Sequence, residues 1–356
     1  MKKLITFIII FIIIIFGIIY FTYGKEFLTL LDEKKVYNVE NVQTTNLNTL
    51  DEYKFFDNGI ITYNNQKITF LDYNNNINWE SDDGEFSKEV YLTDNYIFRI
   101  MENTIQVIDK SNQKFVMAEI EGNIVNVSRE NGKTFIVVKD RSGQNSLYIM
   151  NESNEIIVDN KVFEDSITGV SISDKSEGYA LMTLKFENGT IINTVYFNLL
   201  DDVELWNAVI EGEILVKTKI INNNVVVIGT KNIYYYNTNG KLMWKNGIYN
   251  KILDYEISKE RQMIYMLYEK DEASEFIAYN YEGKVTQVNR IPGNAFKLKV
   301  YEENIFVYNE KSIYLIHGIK TDKIFEDTEG TISDFTASGK DIRILSKDKL
   351  VKGQIK

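Results

Sequence analysis

Beyond residue 35 the chain alternates short apolar runs with polar turns, and no stretch shows the three-to-four-residue apolar period of a long amphipathic helix. Residues 236–244, Y-N-T-N-G-K-L-M-W, show the unit most plainly. Asn237 and Asn239 favour turn geometry, Gly240 accepts positive φ without strain, and Leu242 and Trp244 then alternate along a returning strand. The unit is an apolar or aromatic pair, then Asp or Asn, then a turn-former three residues on. It recurs with anchors at Asp72, Asp109, Asn151, Asn198, Asn237, Asn280 and, in degenerate form, His317. The intervals between anchors are 37, 42, 47, 39, 43 and 37 residues, and periods of ~40–45 residues holding several short strands mark the blades of a β-propeller.

A second turn series falls between the anchors, beginning at Ser128, Ser173, Ser258 and Ser338. Each member separates two apolar runs, so a period holds four antiparallel strands, the content of one blade. The ends complete the count. Residues 331–336, 341–346 and 350–356 supply three strands after the last anchor, and no fourth follows. Residues 35–40, K-V-Y-N-V-E, lie one period before the strand that ends at Asp72. They are expected to complete the last blade and leave no open edge. The expected fold is all-β: a propeller of four-stranded blades, eight in number, with seven the alternative if one period is miscounted. In such a blade the first–second and third–fourth turns share one face of the disc. The second–third turns and the inter-blade connections share the other.

Residues 4–23 form an apolar run of 20 without a charge. At ~1.5 Å per residue this makes a helix of about 30 Å, the thickness of a bilayer core. The residues that follow, Tyr23-Gly24-Lys25-Glu26, lack the small-residue pattern of a signal cleavage site. The expected organisation is a head at 1–3, a transmembrane anchor at 4–23, a linker at 24–34 and the propeller over 35–356. Lysines flank the run on both sides, so charge alone leaves orientation open. A short head before a large domain favours a single-pass cell-membrane protein with an extracytoplasmic propeller.

The net charge of −11 opposes nucleic acid as a partner. With no cysteine, disulfides, thiolate metal sites and cysteine nucleophiles are excluded, and the single histidine gives no support to a catalytic triad or a zinc site. His317 itself falls at a repeat's turn position, which suits a turn role. Seven residues separate Asp72 from Trp79 and Asn237 from Trp244. This spacing resembles the D-x-x-T-G-x-x-x-W repeat of quinoprotein-like (PQQ-type) eight-bladed propellers. The layout also resembles uncharacterised membrane-anchored propellers of low-GC Gram-positive bacteria. Trp206 stands one position out of phase with Asn198. The resemblance implies a propeller and an anchor. The three tryptophans are read as inter-blade packing residues.

The remaining candidates are acidic. Glu80, Asp82, Asp83 and Glu85 are assigned to the first inter-blade connection, Asp271 and Glu272 to a second–third turn of blade six, and Glu326, Asp327 and Glu329 to a late connection. All would lie on the face away from the membrane. The tentative binding surface comprises Asp82, Asp83, Glu85, Asp271, Glu272 and Asp327. The expected function is a non-enzymatic binding or scaffold module at the cell envelope, with a protein partner and no cofactor. The alternative is a cofactor- or calcium-binding envelope enzyme of quinoprotein-like type using the central channel.

Overall fold

The computed structural model describes residues 36–356 except 49–52, 64–66, 83–88, 94–95, 102–103, 117–121, 154, 174–177 and 202. The candidate anchor at 4–23 lies outside the described residues. Among the described residues no helix is long and apolar enough to cross a membrane.

The described strands form eight four-stranded antiparallel sheets. Seven are continuous in sequence: blades one to seven cover 53–82, 89–116, 123–163, 166–211, 215–247, 252–291 and 297–326. The eighth takes three strands from 332–355 and its outermost strand from Val39–Asn46. Val39 pairs with Ile355 and Asn46 with Lys349, so the ring is closed by backbone hydrogen bonds between its two ends. The closing strand therefore sits at Val39–Asn46 rather than over 35–40. Val36 is exposed while Val39 is buried beside the last blade, and it is Val39 that sets the register.

Each blade is sandwiched between two others, which explains the near-continuous apolar runs of its middle strands. Side chains alternate across a strand, and both faces find a neighbour. In blade two, Ile97 and Ile108 pack towards blade one, while Phe98, Ile100, Ile105 and Val107 pack towards blade three. The same division repeats around the ring, giving eight apolar clusters, each at one junction of consecutive blades. Leu345 and Leu350 of blade eight meet Ile60 and Leu71 of blade one at the closing junction. Full burial of one such side chain contributes about 1.5–3 kcal/mol, so the junctions carry most of the stability.

The repeated turn has a physical explanation. Asp72 Oδ1 accepts the backbone N–H groups of Asn74 at 2.7 Å and Asn76 at 2.9 Å. Asn75 takes the left-handed conformation at φ 68°. Asp109, Asn237 and Asn280 accept the corresponding pairs of N–H groups. The fourth-blade anchor differs from the expected one. Asn198 is a buried strand residue, and it is Leu199 N that donates to Val203 O at 2.8 Å to close the turn. Counted from Leu199, Trp206 is in phase with Trp79 and Trp244. All three pair with an aromatic residue on the adjacent strand: Phe70, Phe197 or Tyr235.

Those tryptophans are inter-blade clasps. The indole N–H donates to the carbonyl of Lys110 from Trp79 (3.2 Å), of Thr238 from Trp206 (3.1 Å) and of Tyr281 from Trp244 (2.8 Å). Each acceptor directly follows the turn anchor of the next blade. Gln287 occupies the same place in blade six and donates to Gly318 O at 2.6 Å.

Candidate functional site

The two faces of the disc differ in what they offer. The third–fourth turns and their clasps share one face with the start of the closing strand at Val39. The second–third turns and inter-blade connections form the other. Asp271 and Glu272 make the exposed second–third turn of blade six, and Asp271 takes φ 53°. Asp82 is the last residue of blade one's outer strand, paired through its backbone with Lys67. Asp83 and Glu85 lie outside the described residues. Glu80 belongs to a strand instead of the connection, and its carboxylate meets Lys67 Nζ at 2.6 Å. Glu326 ends a strand and pairs with Lys323 at 2.7 Å.

Asp327 is committed to its own surroundings. It accepts the N–H groups of Gly330 at 2.6 Å and Glu329 at 3.0 Å, and the Ser346 hydroxyl. Burial by itself would raise its pKa, but these donors outweigh burial and hold the carboxyl below its ordinary range. Glu213, in the connection between blades four and five, is a fuller case that sequence reading missed. Its buried carboxylate accepts the N–H groups of Lys231 at 2.9 Å and Asn232 at 3.1 Å, the Asn232 amide at 2.7 Å and the Tyr234 hydroxyl. Acids in these connections thus fasten one blade's start to its own second–third turn. The only sequence signal is their position just before a new inner strand.

The second region is the axis. The innermost strands, including Tyr53–Phe56, Ile252–Ser258, Lys297–Tyr301 and Ile332–Ser338, present their side chains to a central channel. Lys299 of blade seven crosses to blade eight, where it contacts Asp334 and donates to Phe335 O at 2.8 Å. Its Nζ also donates to Tyr301 Oη at 3.1 Å. Asp334 in turn accepts Phe335 N at 2.9 Å and Tyr308 Oη at 3.4 Å. Burial works to lower the Lys299 pKa, but Tyr301 and Asp334 outweigh it, and the ammonium is held above its ordinary value. Asp334 Oδ1 thus gathers the ammonium, a backbone N–H and a phenol, and the pair is about a quarter to a third exposed.

The pair forms a waist between two cavities that share Phe55, Leu92, Lys299 and Asp334. One, of about 450 Å³, reaches Asp57, Thr93 and Thr336 on the face of the first–second turns. The other, of about 660 Å³, reaches Asp254, Lys297 and Lys347 on the face of the second–third turns. The channel is therefore polar and charged at both ends. Among the described residues no group of three or more His, Asp or Glu is arranged to hold a metal ion.

His317 lies far from both regions. It ends a strand of blade seven, with the two-residue turn Gly318-Ile319 after it. Its Nε2 is 2.7 Å from Asp322 Oδ2, which also accepts Tyr37 N at 3.3 Å, and the Tyr37 ring stands edge-on to the imidazole at 4.8 Å. His317 thus helps hold the segment that leads into the closing strand.

A family of unknown function, DUF5711, matches residues 32–352. No functionally curated protein matches the sequence. Among solved structures, the chain is similar to BamB from Moraxella catarrhalis, at 11% identity and a TM-score of 0.53, over 89% of this chain and 99% of that one. It is also similar to apo AztD from Citrobacter koseri, at 9% identity and a TM-score of 0.51, over 85% of this chain and 90% of that one. At these identities the likeness is one of fold.

Proposed function

We propose, for a chain that belongs to the DUF5711 family of unknown function, that it is a binding propeller without catalytic activity, anchored in the cell membrane through residues 4–23 and presented outside it. One observation supports this reading: the chain leads into the ring at Val39, on the face of the third–fourth turns, which leaves the opposite face as the one an N-terminal anchor would present outward. That face holds the exposed Asp271-Glu272 turn and the mouth of the larger axial cavity. Rigid closure suits a binding role, because turns from every blade are held at fixed spacing on one scaffold. A protein partner with basic groups fits the acidic turn.

The topology is tested with single cysteines at Asn239 and Glu272 in a chain that has none of its own. A membrane-impermeant maleimide applied to intact cells is expected to label both, and protection of both would place the propeller inside. Crosslinking through the Glu272 cysteine is expected to capture a protein that Asn239 does not. Asp271→Lys should abolish that capture.

A further inference from the structure

We infer that the larger axial cavity binds a small organic anion carrying two or more carboxylate or phosphate groups, a site separate from any partner on the rim. Its lining holds four lysines, Lys54, Lys297, Lys299 and Lys347, against two aspartates, Asp254 and Asp334. This is a local excess of positive charge in a chain whose net charge is −11. Both aspartates are already engaged. Asp334 holds Lys299, and Asp254 accepts Leu298 N at 2.9 Å and Tyr255 N at 3.0 Å. The side chains of Lys54, Lys297 and Lys347 remain exposed, and none makes an ion pair among the described residues. Lys54 Nζ lies over the Tyr63 ring, 5.6 Å from its centroid.

Three cations facing one concavity repel one another unless an anion joins them, and the walls of a cleft concentrate their field on its centre. The three come from blades one, seven and eight, so the constellation exists only once the ring is closed. The cavity, about 660 Å³, lies within the ~300–1,000 Å³ of small-molecule sites. Its volume suits a compact ligand better than an acidic polypeptide.

The test uses the purified full chain with two probes, citrate and pyrophosphate, followed by titration calorimetry and thermal unfolding. At least one probe is expected to bind saturably, one per chain, and to raise Tm, with affinity falling as salt is added. Binding of citrate alone identifies a carboxylate ligand, and binding of pyrophosphate alone a phosphate. Lys297→Glu combined with Lys347→Glu should weaken binding about tenfold or more, since two attractive charges become repulsive. Lys297→Arg should retain it. Lys241→Glu, in an outer turn on the opposite face, should leave it unchanged. The proposal is overturned if neither probe binds saturably. It is equally overturned if the double variant, with unaltered circular dichroism, binds as tightly as the parent, or if Lys241→Glu weakens binding as much. The rim reading stands or falls separately, because charge changes at Asp271 should not alter probe binding.

Discussion

The single residues that matter most here are those whose role is set by a neighbour in another blade. Gly240 shows this. It takes φ +75°, and a Cβ on it would come within 2.7 Å of Trp206 Cγ in the preceding blade. Gly283 repeats the arrangement against Trp244. Gly189 has a similar φ of +78° but nothing within 4 Å of the same point. Gly240→Ala is therefore expected to cost about 2–4 kcal/mol, combining backbone strain with a displaced indole, whereas Gly189→Ala should cost only ~1 kcal/mol of strain. Urea denaturation of the two variants measures the difference. Equal losses would show that the clasp contributes nothing. The turn preference of Gly240 was readable from N-T-N-G alone. Its contact with Trp206 was not, because the two residues meet only across a blade junction.

At the scale of the strand, the closing element is the informative case. Val39–Asn46 reads V-E-N-V-Q-T-T-N, and only Val39 among its first four residues is buried. An outermost strand covers one neighbour and faces solvent, so it needs little apolar content, and its boundaries leave a weak pattern in sequence. This is why the sequence pattern points to 35–40, four residues ahead of the strand. Its pairing matters more than its composition, since without it the last blade would present an open edge at Lys349–Ile355. Val39→Asp places a charge in the cluster shared with Ile355 and should cost roughly 2–4 kcal/mol. Val42→Asp, at a position 52% exposed, should be nearly neutral. Hydrogen exchange should show protection in 349–355 falling first in Val39→Asp. Uniform loss around the ring would argue that closure is not the weakest link.

For the molecule as a whole, the axis is where blades that are distant in sequence meet. The Lys299–Asp334 pair joins blades seven and eight and lines both axial cavities. Removing one partner leaves the other partly buried and uncompensated, so Lys299→Met is expected to cost about 2 kcal/mol. Lys299→Met combined with Asp334→Leu should recover much of that loss. A double-mutant cycle by thermal unfolding measures the coupling, and additive losses would mean the waist is packing alone. Because the pair also lines the proposed anion site, the double variant should retain the fold while its probe affinity changes.

The eight-fold period, the four strands per period and the sharing of the last blade between the two ends follow from local pattern alone. Each blade repeats the same alternation and the same Asx-type turn, and both are written in consecutive residues. The sequence pattern puts the fourth anchor at Asn198, one residue early, because the fourth blade closes its turn through Leu199, where no Asp or Asn stands to mark it. What only the tertiary structure decided is how residues of different blades use one another. Glu80 became an ion-pair partner of Lys67, Asp327 a staple for its own loop, and Glu213 a buried acceptor. Lys54, Lys297 and Lys347 are unremarkable surface lysines in the chain, hundreds of residues apart at the extremes. Ring closure brings them around one cavity, because a propeller converts positions one period apart, and its two ends, into neighbours about a single axis.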